Sequence, residues 1–285
     1  YNDLLVKDKN QCKNEVKQSV TKQLQQIIAN KPLHAQYFNL LDEPHIDKSK
    51  SVQWLKDSRL KGPTEALITA IQDQAITTKY IAKHIHKTTQ DDKCRFCGNQ
   101  KETIYHIISG CSTLAPTDYL QRHNNVAKYV HLTICKQYDI DTSNVVWYNH
   151  KPEDVTENNN IKLLWDFSIQ TDHTITNNRP DIVLILKESR EAFIIDVAIP
   201  SDFNIMEKKV NKITKYTDLS VEIQQLWNIK KVRIIPIIIG STGVISKTFE
   251  KELKEFFPVK LNTIEMQKIC LLGTARIIRR FNQAN

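Results

Sequence analysis

The sequence predicts an α+β protein: a helical N-terminal region with a small cysteine–histidine knuckle, then a mixed sheet flanked by helices. Three observations predict it. The apolar, β-branched runs at 182–186 and 192–199 are separated by the polar Lys187-Glu188-Ser189-Arg190-Glu191, the pattern of a hairpin of two buried strands. Apolar residues at helical spacing recur on both sides of that hairpin. Ahead of it, Cys94, Cys97, His106 and Cys111 fall within eighteen residues.

Residues 13–30 carry Val16, Val20, Leu24, Ile27 and Ile28 on one side with Lys and Gln opposite, an amphipathic helix expected to pack through that stripe. Pro32 ends it, because proline disfavours helix at the residue before it. Pro63 suits a first helical position, and Leu67, Ile68, Ile71, Ile76, Tyr80 and Ile81 extend an apolar pattern to about His86. The polar side of this second helix, Gln72, Asp73, Gln74, Thr77, Thr78 and Lys79, is either a solvated face or a track for a phosphate backbone.

Cys94 and Cys97 stand two residues apart in a tight turn, His106 follows after eight residues, and Cys111 after four more, past Gly110. Three thiolates and one imidazole select Zn²⁺ over Mg²⁺ or Ca²⁺ and fill a tetrahedron, so the expected site is structural. His123 and His131 lie too far along to replace His106 and are read as surface or core histidines. Cys12, Cys135 and Cys270 are scattered.

Composition then shifts toward Asp, Asn, His, Lys and Glu, giving an expected organisation of a helical region at 1–90, the knuckle and its following helix at 91–138, a linker at 139–160, and a last domain at 161–285 that holds the hairpin. Residues 165–175 alternate well enough for a strand leading into the hairpin. Asp172 and His173 within it are edge residues or further contacts to the site described next.

Arg179-Pro180-Asp181 opens the first hairpin strand, and Asp196 stands inside the second with fourteen residues between the two aspartates. A turn centred between Glu188 and Ser189 puts Asp181 opposite Asp196, with Cα atoms about 4.5–5.5 Å apart. Like charges facing each other in a buried sheet are destabilising, so something must neutralise them, and the usual candidate is a divalent cation held by carboxylate oxygens. The plainer alternative is a carboxylate paired with a neighbouring Lys or Arg.

The segment after Pro200 supplies lysines. Met206, Val210 and Ile213 mark one apolar helical face, and Lys209, Lys212 and Tyr216 form a row beside it. Lys212 is best placed to lean toward the carboxylates, with Lys209 and Lys215 as alternatives and Tyr216 as a support. Residues 222–227 continue helical, and 232–239 form a strand that Pro236 assigns to an edge or bulge. Gly240-Ser241-Thr242-Gly243 turns the chain but lacks the spacing of a phosphate loop. Helices at 246–256 and 263–281 finish it, the second ending in Arg276, Arg279 and Arg280, which either grip phosphate or suit the helix dipole.

Forty Lys and Arg against 32 Asp and Glu give a net charge of +8, a bias toward polyanionic partners. No apolar run approaches the ~18 residues needed to span a membrane. The chain opens on Tyr1 without a signal peptide and is expected to be an intracellular fragment of something longer.

Asp181, fourteen residues, Asp196, then a helical lysine resembles the PD-(D/E)XK nuclease core. Arg179-Pro180-Asp181 with the lysine displaced onto the next helix is similar to the restriction-like endonuclease of LINE-type (non-LTR) retrotransposons. Ala198 stands where a restriction enzyme carries its lysine. The Cys-Cys-His-Cys knuckle resembles the one that precedes the endonuclease in those polyproteins, and the likeness extends through 165–181, 212–219 and Gly273-Thr274-Ala275-Arg276. It implies an α/β nuclease-like mixed sheet in the last segment. It also implies a Mg²⁺-dependent endodeoxyribonuclease using Asp181, Asp196, Lys212 and Tyr216, which nicks target DNA and leaves a 3′ end to prime reverse transcription. Element RNA and an N-terminal reverse-transcriptase region are implied partners, and the nucleus or cytoplasm the implied location. The competing reading is a zinc-stabilised nucleic-acid-binding remnant that does not cut.

Overall fold

A computed structural model describes residues 9–140 and 145–284; residues 1–8 of the expected helical region and 141–144 of the expected linker lie outside the described residues. The fold is α+β, with a five-stranded mixed sheet flanked by helices. Helices α1 (Lys9–Ala29), α2 (Gln36–Leu40), α3 (Lys48–Asp57), α4 (Gly62–Gln72) and the short α5 (Lys79–Ile81) lead into the cysteine–histidine segment. Helix α6 (Leu120–Gln137) follows it. The sheet comprises β1 (Val155–Glu157), β2 (Ile161–Trp165), β3 (Ile182–Leu186), β4 (Glu191–Ala198) and β5 (Lys231–Ile238). Between β4 and β5 run α7 (Ile205–Lys215) and α8 (Thr217–Leu226), and α9 (Phe249–Phe256) and α10 (Thr263–Gln283) close the chain.

Strand order is β1-β2-β3-β4-β5, antiparallel except for the parallel β4–β5 pair. The hairpin has the expected register: Ile182 pairs with Ile195 and Leu186 with Glu191. The strands are continuous apolar runs because both faces of the sheet are covered. Ile182, Leu184, Phe193, Ile195 and Val197 pack with Val126, Val130 and Ile134 of α6. Val183, Ile185, Ala192 and Ile194 point the other way, to Tyr216, Leu219 and Ile223. β5 is an edge strand, the first of the two positions that Pro236 suggested, and Pro236 pairs in register with Asp196.

A second core joins Trp54, Ile68 and Ile71 to Ile104, Ile107 and Ile108 of the cysteine–histidine segment and to Leu271, Ala275, Ile278 and Phe281 of α10. Met266, Ile269 and Cys270 of α10 belong to the sheet core, so this one helix is shared by both.

Four expectations differ. The stripe on α1 is not packed: Val16, Val20, Leu24, Ile27 and Ile28 are all exposed, so periodicity gave the helix but not its burial. The second helix breaks after Gln72, where Gln74 takes a left-handed conformation (φ 52°) and Thr78 caps a new start by accepting from the Ile81 amide. Its polar side is structural: Gln72 donates to the Thr242 carbonyl and Gln74 to the Leu33 carbonyl. The strand expected at 165–175 stops at Trp165, because Asp166 turns left-handed (φ 45°) and its amide donates to the Asp181 carbonyl at 2.8 Å. Within the expected linker, residues 155–157 instead add the edge strand β1, a piece too short for alternation to reveal.

Among the described residues, no helix is long and apolar enough to cross a membrane.

Candidate functional site

Asp181 sits immediately before β3 and Asp196 sits inside β4, one register step beyond the Ile182–Ile195 pair. Helix α7 approaches the same end of the sheet. Its Lys212 ammonium forms an ion pair with Asp196 Oδ2, and Lys215 Nζ lies 3.9 Å from Oδ1. Tyr216, fully buried, donates its hydroxyl to Asp196 Oδ1 at 2.5 Å. Lys215 Nζ in turn sits 2.8 Å from that hydroxyl and above the Tyr216 ring. Lys209 points elsewhere, to Glu252 at 2.5 Å and Thr248 at 3.0 Å. The row of Lys209, Lys212 and Tyr216 therefore faces inward, while Val210 and Ile213 of the supposed core face are exposed.

Sequence reasoning missed His123. From α6 it places Nε2 at 2.9 Å from Asp181 Oδ2 and 3.0 Å from the Val197 carbonyl. The Val197 amide also donates to Asp181 Oδ2, at 2.7 Å. The residues in contact are 58 positions apart, and no local pattern in the chain marks the pair.

Charge is balanced locally. Burial works against protonating His123, but the hydrogen bond and charge of Asp181 outweigh it and carry the imidazole up to about 9. Burial likewise opposes ionising Asp181, yet His123, the Val197 amide and Lys212 hold its carboxyl below the usual carboxylate range. Burial and the adjacent Asp196 push the Tyr216 phenol far up, so it stays a neutral donor. Burial also lowers the Lys215 ammonium, against the pull of Asp196.

A groove of about 620 Å³ opens beside this cluster, lined by Lys208, Lys212, His123 and Arg122 and reaching Tyr105 and His106 of the cysteine–histidine segment. Asp172 and His173 do not join the site through any contact among the described residues; His173 is exposed and lies 3.4 Å from Glu222. Of the terminal arginines, Arg279 donates to Thr64 and Arg280 pairs with Asp118, which ties the helix end to the fold.

The four residues of the knuckle do converge. The ligand atoms of Cys94, Cys97, His106 and Cys111 lie within 4.8 Å of one another, with Cys94 and Cys111 sulfurs 3.9 Å apart and Cys97 Sγ 3.4 Å from His106 Nε2. Gly98 (φ 68°) permits the tight turn, donating its amide to the Cys94 carbonyl. The Tyr119 hydroxyl accepts from the Cys111 amide and donates to the Ile107 carbonyl, bridging both ends of the His106 turn. Buried Glu102 takes hydrogen bonds from the Arg95 amide and guanidinium and from the Lys79 amide. Burial lowers His106, favouring the neutral imidazole that binds metal. This cluster is a possible metal site, and its donor set is compatible with zinc. No family model matches the chain, and no curated protein matches it.

Proposed function

We propose that the chain is a metal-dependent DNA endonuclease of a non-LTR retrotransposon, nicking one strand to supply a primer end. The observation that carries this reading is the meeting of Asp181, Asp196 and Lys212 at one end of the sheet, beside an open groove with lysine and arginine on its walls. Net charge of +8 suits a nucleic-acid partner. Element RNA and a reverse-transcriptase region of the parent polyprotein are the further partners of this reading, and nuclear DNA its target.

The donor chemistry fits Mg²⁺. Asp181 Oδ2 and the Val197 carbonyl, which His123 Nε2 meets at 2.9 and 3.0 Å, are oxygen donors of the hard kind that Mg²⁺ takes. Asp181 and Asp196 would hold the ion, which when bound polarises the scissile phosphate and lowers the pKa of water. The chain's own side chains do the rest. Lys212 offsets charge building on the phosphate oxygens. Tyr216 fixes the Asp196 carboxylate, and His123 orients Asp181. Water adds across a P–O3′ bond, giving a 5′-phosphate and a free 3′-hydroxyl.

One observation favours a non-cutting nucleic-acid-binding remnant: His123 and Lys212 already neutralise both aspartates without any ion. Nicking of supercoiled plasmid with Mg²⁺ separates the two. Relaxation by the wild type and none by Asp196→Ala, with equal DNA binding, supports the endonuclease. Equal binding with no nicking by either protein supports the remnant.

A further inference from the structure

Helix α6 carries a second group of ligand-type side chains beyond His123. His131 and Cys135 stand one helical turn apart on the same face, and His150 comes up to them from the segment after α6. Their ligand atoms lie within 4.8 Å of one another, and all three residues are buried. His131 Nδ1 is 2.8 Å from His150 Nε2 and 3.4 Å from Cys135 Sγ.

Proton sharing alone does not satisfy this arrangement. One imidazole nitrogen has a single in-plane lone pair or a single N–H. If His131 Nδ1 accepts from His150, the Cys135 thiol competes for the same lone pair. If it donates to His150, the thiol finds no acceptor there. In either tautomer His131 Nε2 remains buried without a hydrogen-bond partner, its ring edge-to-face with Trp165 at 5.6 Å. A cation that takes both imidazole nitrogens and the sulfur resolves the conflict at Nδ1.

We propose that His131, Cys135 and His150 form a second zinc site, independent of the knuckle. Two imidazoles and a thiolate are the donor set of a four-coordinate zinc with water as the remaining ligand. Binding breaks the Cys135 S–H bond, releases the proton to solvent and forms a sulfur–zinc bond. The ion would clasp the turn at Trp147 and His150 onto α6, two helical turns from His123 and against Trp165, which pairs with Ile182 next to Asp181.

Zinc content of the dialysed full chain, by elemental mass spectrometry, is the test. The expected value is about two ions per chain, falling to about one in Cys135→Ser and in His150→Gln and also to about one in Cys97→Ser, which empties the knuckle. One ion in the wild type that survives Cys135→Ser and is lost in Cys97→Ser overturns the proposal, as does no zinc at all. One ion lost in Cys135→Ser but kept in Cys97→Ser upholds it and removes the knuckle instead. Should the α6 variants not fold, the Co²⁺-loaded wild type decides. Charge-transfer absorption from four thiolates, about one-third above that of the three knuckle thiolates, supports the second site, and absorption from three overturns it.

Discussion

His123 and Asp181, 58 residues apart, meet at 2.9 Å where the N-terminal part of α6 passes the end of the sheet. The pair converts a destabilising feature, two aspartates at facing strand positions, into a balanced cluster whose second half is Asp196 with Lys212. Each carboxylate thus has its own cation on a different helix.

The His123–Asp181 pair sets a pH dependence of stability. His123 is raised from its ordinary value near 6.5 to about 9, so its contribution to stability is complete below 6.5 and is lost as pH rises through 9. Asp181 is shifted the other way, so its share is lost only in acid. Urea unfolding of the wild type at constant ionic strength should show stability falling between pH 6.5 and 9, by up to about 1.4 kcal/mol per unit. His123→Gln should flatten that slope. An equally steep slope in the variant would assign it to other groups.

Much of this was legible in the chain. The hairpin register followed from two β-branched runs and a polar turn, and Lys212 followed from its place in a helical row. The convergence of Cys94, Cys97, His106 and Cys111 on one possible metal site followed from their spacing. His123 was not legible, because its partner is remote and one histidine on an amphipathic helix looks like any other. The loop after Trp165 was missed because Asp166, at φ 45°, breaks an apparently regular alternation. The exposed stripe on α1 makes the complementary point: a pattern predicts a helix but not what covers it.

Tyr216 and the lysines on α7 can be separated by small changes. Tyr216→Phe keeps the buried ring but removes the donor 2.5 Å from Asp196 Oδ1, which should cost about 1–3 kcal/mol and lower nicking without weakening DNA binding in proportion. Lys212→Ala should abolish nicking, since it strips the cation from Asp196 Oδ2. Lys209→Ala loses only a peripheral pair with Glu252, so about 1 kcal/mol or less, and near-normal nicking, is expected. Equal loss in the Lys209 and Lys212 variants would sink the assignment.

Glu102 organises the knuckle without being a ligand to it. Its buried carboxylate holds the Arg95 side chain, which stacks on Phe281 at 4.1 Å, and caps the Lys79 amide. Glu102→Ala leaves Arg95 and that amide unpaired, for an expected loss of about 3 kcal/mol and faster release of zinc to a chelator. Unchanged unfolding and zinc release would show the pair to be incidental.

The geometry of α6 depends on a glycine in α10. A Cβ at Gly273 would lie 2.5 Å from Cγ and 2.9 Å from Cβ of Arg122, atoms near the backbone that cannot swing aside. Arg122 is itself buried and donates to Thr274, which donates to the Ser241 carbonyl at 2.6 Å. Gly273→Ala must therefore push α6 away from α10, and His123 follows Arg122 directly. The expected result is a loss of about 1–3 kcal/mol together with a shallower pH slope between 6.5 and 9, because His123 is drawn off Asp181. Gly62→Ala is the control: its added Cβ meets nothing within 4 Å, so stability should change by about 0.5 kcal/mol or less. A Gly273→Ala protein that loses stability but keeps the full wild-type slope would show that the helix contact and the histidine–aspartate pair are independent.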